Sequence, residues 1–415
     1  MVASWLLSRD HEVVLFEADS RPGGHARTLD VGEGSEKVAV DTGFIVFNYE
    51  TYPVLTRIFD RLGVPVKKSS MSFGVSLDNG ADEYGTVPSW RVFSSWKNVF
   101  STRHWRMLRD IKRFESEAVR ILEQDLQLSL GEYLEQENYS DSFRDRFLIP
   151  MASSIWSTAP SRILDFPAIS LIRFFDNHGL LQASGRKQWY TVEGGSREYV
   201  QRLLADFDGE LRLNSPVTGV STESGGIGLS WGGEQAGEET FDQVIFACHS
   251  DQALNMLKDD PDAERFDLLS NIRYQKNRVL LHSDSRFMPK NRKCWQSWVY
   301  LKESRSGSNL VTSMSYWMNN LQSLVSPKPL LVTLNPEHEP EPALLHDEWH
   351  TGHPQYTSQA VDAQKRLNSV QGRDGLWFCG AWTGYGFHED GARSALSVAQ
   401  AMGVQAPWQE QGESA

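Results

Sequence analysis

At 415 residues the chain is long enough for two or more domains, and 40% hydrophobic against 23% charged residues is a globular composition. Lys plus Arg number 41 against 54 Asp plus Glu, a formal net charge of −13, which argues against nucleic acid as the main partner because phosphate neutralisation needs a basic footprint. Three widely spaced cysteines, Cys248, Cys294 and Cys379, imply neither a disulfide framework nor a zinc pattern, so a reducing, cytoplasmic setting is expected. Val2 to Ser8 reads as a helix with Ala3, Trp5, Leu6 and Leu7 on its packing face. Val13 to Phe16 reads as a buried parallel strand ending in an acid, Glu17, followed by Arg21, the pair Gly23-Gly24, and Arg27-Thr28. In a dinucleotide-binding βαβ unit an acid in this place accepts hydrogen bonds from ribose hydroxyls. The glycines let the backbone approach a pyrophosphate, and Arg27 supplies charge. The strand and G-x-G-x-x-G turn that would precede the first helix have no counterpart in the sequence. With an acid expected about 20 residues after the motif begins, Met1 falls roughly after its last glycine. The expectation is that Met1 is an internal methionine, or that the reading frame is short at its 5′ end.

Further along, Val38 to Phe47 reads as a strand interrupted at Asp41-Thr42-Gly43, where glycine marks a close backbone approach. Leu55, Ile58, Phe59 and Leu62 have helical spacing. Phe73 to Tyr84 alternates as a hairpin turning at Asp78-Asn79-Gly80. An amphipathic helix is predicted near 101–125, and Ser129 with Glu132 forms a capping box. Residues 141–182 read as helix and loop. Gly194-Gly195-Ser196 leads into a helix from Glu198 to Asp206. Strands at 211–213 and 217–220, a Gly-rich hairpin region at 225–237, and a buried strand Val244 to Cys248 follow, then a short helix from Ser250. Strands at 278–283, 295–301, 309–316 and 330–334 form an expected antiparallel sheet. Leu376 to Cys379 is a last buried strand, with a helix beginning near Asp390.

Phe378 to Ala392 is the second strong signal: a strand, Gly380-Ala381, and a glycine-punctuated loop opening a helix at Gly391-Ala392. Such a helix start presents free N–H groups to anionic oxygens. Asp390 is an N-cap type, and Glu389 reads as a solvated charge. His388 is a candidate for an active-site wall or proton relay. Cys379 reads as a buried strand residue with nothing to suggest a covalent flavin link. Trp295, Trp298, Tyr300, Trp317 and Asn319 sit on the expected sheet and either line a cavity or pack the core. Trp156 and Trp189 carry the same two readings.

Glu17, the Arg21–Thr28 loop, Gly194-Gly195-Ser196 and the Phe378–Ala392 stretch together resemble the flavin-containing amine oxidase superfamily. The chain looks closest to a bacterial-type group of FAD/NAD(P)-binding oxidoreductases related to phytoene desaturases. The resemblance runs from Val2 to about Ala401. It implies an α/β fold, α+β overall: an interleaved Rossmann-like FAD-binding domain (1–70, 190–262 and 370–405) and a mixed or antiparallel-sheet plus helical substrate domain (71–189 and 263–369), with 406–415 a flexible tail. It also implies FAD as cofactor, with Glu17 on the adenosine ribose, and Gly23, Gly24, Arg27 and Thr28 around the pyrophosphate. Val217 would reach the adenine through its backbone, and Gly380, Ala381, Gly391 and Ala392 the ribityl chain and the pyrimidine side of the flavin. His388, Trp298, Trp317 and Asn319 are the catalytic candidates, and no metal is expected.

The implied reaction is hydride abstraction from a substrate C–H to give C=N or C=C, followed by reoxidation by oxygen or another acceptor. An amine would call for an aromatic cage. A desaturase or isomerase substrate, an acyl or polyene lipid, would call for an apolar tunnel and transient membrane-surface contact. A third alternative, arising from the absent glycine turn, is a flavin-less scaffold or inert form.

Overall fold

Val14–Phe16 pairs in parallel with Glu210–Arg212, and Val244–Phe246 in parallel with Leu376–Phe378, so each short strand finds its partner far along the chain. The computed structural model describes residues 1–123, 128–181, 187–223, 225–258, 260–302 and 313–409. Its mixed α/β composition agrees with the fold expected from the sequence. Val217–Glu223, Gly226–Trp231 and Gly237–Phe241 form an antiparallel meander with Val217–Glu223 at its edge. Phe16 packs on Trp231 and Phe241, with the Arg212 guanidinium over the Phe16 and Trp231 rings.

The helix Val2–Leu7 buries Trp5, Leu6 and Leu7 against Ala392 and Ala399 of the C-terminal helix His388–Ala401, whose small side chains admit a bulky partner. Ala406 and Trp408 join this cluster, so the expected flexible tail is packed as far as Trp408. Residues 410–415 lie outside the described residues.

A seven-stranded sheet forms the second layer, in the order Leu345–Pro354, Tyr274–His282, Leu331–Leu334, Ser313–Trp317, Trp298–Lys302, Phe73–Leu77, Asp82–Gly85. Every pairing is antiparallel except that of Trp298–Lys302 with Phe73–Leu77, which is parallel. The predicted 73–84 hairpin therefore extends this sheet. Leu345–Pro354 was not anticipated, and part of the strand expected at 309–316 (309–312) lies outside the described residues. Helices including Thr102–Glu117, Leu130–Gln136, Ile149–Trp156 and Ala168–Asn177 share a large apolar cluster with the loop before the C-terminal helix, through Phe174, Tyr385 and Phe387.

A polar knot joins these parts at the Asp41-Thr42-Gly43 interruption. The buried Asp41 carboxylate accepts hydrogen bonds from the Thr28 hydroxyl (2.6 Å), from the Ser196 amide and hydroxyl (2.8 Å each), and from Gln322 Nε2 (2.8 Å). Gly43 sits so close to the glycine loop that a Cβ there would lie 2.1 Å from the His25 carbonyl oxygen, the close approach its place in the strand suggested.

Candidate functional site

The loop after Val14–Phe16 is held by its own polar groups. The Arg21 guanidinium donates to the carbonyls of Pro22, Gly24 and Ala26, and the Ala26 amide donates to the Gly23 carbonyl, closing the glycine pair into a turn. Glu17 stands at the C-terminal end of its parallel strand, where the sequence put it, and one carboxylate oxygen accepts from the Asp19 amide at 3.0 Å. Val217 opens the edge strand of the meander, so its outward backbone groups are not consumed by that sheet.

Arg27 and Thr28 are placed differently from expectation. The Arg27 guanidinium is ion-paired to Asp347 at 2.8 Å, donates to Thr42 at 3.2 Å and lies over the Trp349 ring. The Thr28 hydroxyl donates to Asp41 and accepts from the Arg197 amide at 3.0 Å. Both are tied into the fold, because partly buried donors take the nearest acceptors. In this structure both side chains are engaged as structural ties and are not open to an anion.

The partner of this loop is the strand Leu345–Pro354. With a period of two, His346, Glu348 and His350 face solvent, while Asp347, Trp349, Thr351 and His353 point inward onto the glycine loop. Thr351 shares a 2.7 Å hydrogen bond with His25 Nε2, Trp349 stands edge-on to the His25 ring, and His353 lies 5.8 Å from it between centroids. His249, stacked on Tyr274, is 6.2 Å from His25 on another side. His388 stacks on Phe44 at 4.0 Å.

Desolvation pushes all four imidazoles toward the neutral form: His353 and His388 fall to about 4, His25 well below its ordinary value, and His249 downward. For His25 the positive forms of His353, His388 and His249 add to the effect. His25, His353 and His388 lie deep in the molecule yet each keeps some accessible surface, so they line a recess. Among the described residues no cluster of His, Cys, Asp or Glu could hold a metal ion. Sequence reasoning singled out only His388 of the four. The alternation Asp347, Trp349, Thr351, His353 was the signal that could have found the rest.

The C-terminal loop supplies the other wall. A Cβ on Gly391 would lie 3.6 Å from the Ala381 nitrogen, so the helix start rests directly on Gly380-Ala381. The Gly380 amide donates to Ser394 Oγ. Ala392 points its Cβ into the core with Trp5 and Leu6, which leaves its backbone for any ligand contact.

The helix begins at His388, ahead of the expected Asp390. Asp390 is its third residue, and its carboxylate reaches back to the Tyr385 and Phe387 amides while pairing with Arg393. Glu389 is buried, not solvated. Its two oxygens accept from the Val54 and Leu55 amides at 3.0 Å each, capping the helix Pro53–Leu62 from across the fold. Beside this loop, Trp156, Phe174, Tyr356, Tyr385 and Phe387 form an aromatic cluster in which Trp156 Nε1 and the Tyr356 hydroxyl are buried donors without a protein partner.

The remaining candidates divide by sheet face. Trp298 packs beside Tyr316 on the face that carries Val279 and Trp349 toward the glycine loop. Trp317 packs on the opposite face with Trp295, Val299 and Leu301, under the Arg292 guanidinium. Asn319 accepts from the Leu330 amide and donates to the Lys328 carbonyl, closing its own loop. Trp317 and Asn319 are thus engaged in packing and loop closure.

The groups around His25 suit a planar heterocycle in their chemistry. Neutral imidazoles can donate or accept at ring heteroatoms, and the helix start at Gly391 brings N–H dipoles toward negative charge. At the glycine loop the guanidiniums of Arg21 and Arg27 are already engaged, which leaves the backbone groups of Gly23 and Gly24 as the donors there.

A family model described as flavin-containing amine oxidoreductase matches residues 1–336. No curated protein matches the chain by sequence. Among solved structures, a CLA-producing fatty acid isomerase from P. acnes is similar at 14% identity and TM-score 0.67, covering 97% of this chain and 96% of that one. A putative protoporphyrinogen oxidase from Exiguobacterium sp. 255-15 is similar at 16% identity and TM-score 0.67, over 97% and 95%. Cyclohexylamine oxidase from Brevibacterium oxydans IH-35A matches at 14% identity and TM-score 0.60, over 97% and 96%. At these identities the structural likeness establishes the fold, whereas the family match spans most of the chain. The chain belongs to the flavin-containing amine oxidoreductase family.

Proposed function

We propose that the flavin of this oxidoreductase is FAD and that its substrate is uncharged and largely apolar, oxidised at a C–H bond to give C=C. The carrying observation is the neutrality of the recess. His25, His353 and His388, which desolvation pushes toward the neutral form, line it, and His249 beside His25 is pushed the same way. The carboxylates of Glu389 and Asp390 at the neighbouring helix start are spent on backbone amides. An ammonium group would find no free carboxylate among these groups to offset its desolvation.

In this reading residues 1–70, 190–262 and 370–405 make the FAD-binding domain, and 71–189 with 263–369 the substrate domain. Glu17 holds the adenosine ribose, the Val217 backbone the adenine, Gly23-Gly24 the pyrophosphate, and Gly380, Ala381 and Gly391 the ribityl and pyrimidine side. Bound flavin supplies a hydride acceptor. The protein's part is to position the ring and to exclude water with the aromatic cluster around Phe174. The unpaired Tyr356 hydroxyl and Trp156 N–H offer donors to a polar end of the substrate. The solved fatty acid isomerase of similar fold accords with an acyl substrate. The aromatic pair Tyr385 and Phe387 favours a second reading, an amine bound in its neutral form and oxidised to C=N.

The test is the visible spectrum of the purified protein followed by anaerobic titration with methyl esters of unsaturated fatty acids and, separately, primary amines. Flavin bands bleached by the fatty acid esters support the proposal. Bleaching by amines alone establishes the second reading, and a colourless protein that takes up no added FAD overturns both.

A further inference from the structure

Five of the eight exposed large hydrophobic residues among those described fall between residues 90 and 105. Trp90 is 57% exposed, Trp96 72%, Val99 42%, Phe100 79% and Trp105 51%. The other three, Tyr49, Phe266 and Val325, are isolated in sequence. The five share one surface. The short helix Trp96–Val99 contacts both the 3-10 turn Ser89–Phe93 and the helix Thr102–Glu117. Phe93 packs on Trp105, and Trp96 lies near Phe100. A folded protein rarely leaves such a patch to water unless something else covers it.

The same segment reverses the charge of the molecule. Residues 88–113 hold seven Lys or Arg and one acid, in a chain whose net charge is −13. That one acid, Asp110, is buried and accepts from the Ser140 amide. Lys97, Arg103, Arg106, Arg109 and Lys112 are exposed. Trp105, Arg109 and Lys112 follow each other at helical spacing on the outer face of Thr102–Glu117, whose inner face carries His104, Met107 and Phe114. Arg103 and Arg106 occupy the first turns of that helix, which contain no acid, although cations there oppose the helix dipole. Local stability does not account for this arrangement.

We propose that this face docks on an anionic lipid bilayer. Tryptophan and phenylalanine side chains beside a row of Lys and Arg are the composition of an interfacial contact: the rings bury at the headgroup level and the cations meet anionic headgroups. No helix among the described residues is long and apolar enough to cross a membrane, so the contact lies on the surface. The inference is independent of the substrate. The patch does sit on the helical layer whose apolar cluster reaches Tyr385 and Phe387, which would place a bilayer on the side from which an acyl chain would come.

The test is co-sedimentation of the full chain with vesicles of phosphatidylcholine alone and of phosphatidylcholine mixed with an equal part of phosphatidylglycerol. Binding is expected to the mixed vesicles only and to weaken with salt. Reversing Arg103, Arg106 and Arg109 to Glu together is expected to lower partitioning by at least about a hundredfold, at about fivefold for each cation lost. Trp96→Ala with Phe100→Ala should weaken it while leaving the salt dependence. These side chains are exposed, so each variant should keep a cooperative thermal transition, with the triple reversal gaining from the helix dipole at Arg103 and Arg106 and losing the Arg109 contact to Asp110. Equal binding to both vesicle types, no binding to either, or variants that bind like the parent would overturn the proposal. So would a dimer in lipid-free solution that Trp96→Ala with Phe100→Ala converts to a monomer, since the face would then be a protein interface.

Discussion

Asp41 shows how one side chain can hold distant segments together. Its carboxylate gathers donors from Thr28, Ser196 and Gln322, and burial raises its pKa to about 6 against the opposition of those hydrogen bonds. Gly195 makes the gathering possible. Its φ is +89°, and a Cβ there would stand 2.4 Å from Thr28 Cγ2 and 3.1 Å from Asp41 Oδ1. Gly195→Ala meets both a left-handed backbone and a steric clash, and is expected to cost about 2–4 kcal/mol. Chemical denaturation checks this, with Gly24→Ala, where the space is open, expected to cost less. The Gly194-Gly195-Ser196 signal was therefore legible in the sequence as a required glycine turn, while the reason for it, a carboxylate more than a hundred residues upstream, was not.

At the level of elements, two contacts between distant segments shape the site, and neither was legible. Glu389 follows a histidine and precedes an aspartate, which reads as a solvated cluster, yet it caps the helix Pro53–Leu62 by accepting from Val54 and Leu55. Pro53 opens that helix without a capping side chain of its own, so the cap comes from elsewhere in the chain. Glu389→Gln keeps one acceptor and turns an N–H toward an amide N–H. A loss of about 1–2 kcal/mol is expected, read as a lower thermal midpoint.

The strand Leu345–Pro354 escaped notice for a related reason. Strands are recognised by apolar alternation, and here the inward stripe is Asp347, Trp349, Thr351 and His353 because it docks against a polar loop. The Val14–Phe16 strand with Glu17, the Pro53–Leu62 helix and the Ser129–Glu132 capping box were legible because their apolar spacing and caps are local. Asp347→Ala would leave the Arg27 guanidinium partly buried and unpaired, an expected cost of about 1–3 kcal/mol. Because Arg27 and His25 lie on one loop, the same change is expected to lower flavin retention after gel filtration. Asp347→Asn, which keeps an acceptor, should retain more.

For the whole molecule these groups set opposite pH dependences, and their sum can be argued from sign. Asp41 has a folded-state pKa raised from 3.8 to about 6, so the folded form binds the extra proton and Asp41's contribution to stability falls as pH rises between those values. The recess histidines run the other way. Their folded-state pKa values are depressed below 6.5, so the unfolded chain binds more protons, and their contribution is present above pH 6.5 and lost as pH falls toward about 4. His178 and His282, outside the recess, are also pushed down to about 4 and add to this side. A depression of that size on one imidazole corresponds to at most about 3.5 kcal/mol, and to less for side chains that keep some exposure. Burial also raises Glu389 and Asp390, on the side of Asp41, but the histidines are more numerous, and the thermal midpoint is expected to drop between pH 7 and pH 5. His353→Gln should flatten that drop by removing one histidine and relieving the repulsion on His25. Asp41→Asn should steepen it below pH 6, because the opposing group is gone. A midpoint that rises on acidification, or an Asp41→Asn profile parallel to the parent between pH 4 and 6, would mean that Asp41 and not the recess histidines governs the pH response, or that Asp41 does not titrate in this range. The first outcome would also remove the neutral imidazole wall on which the uncharged substrate rests.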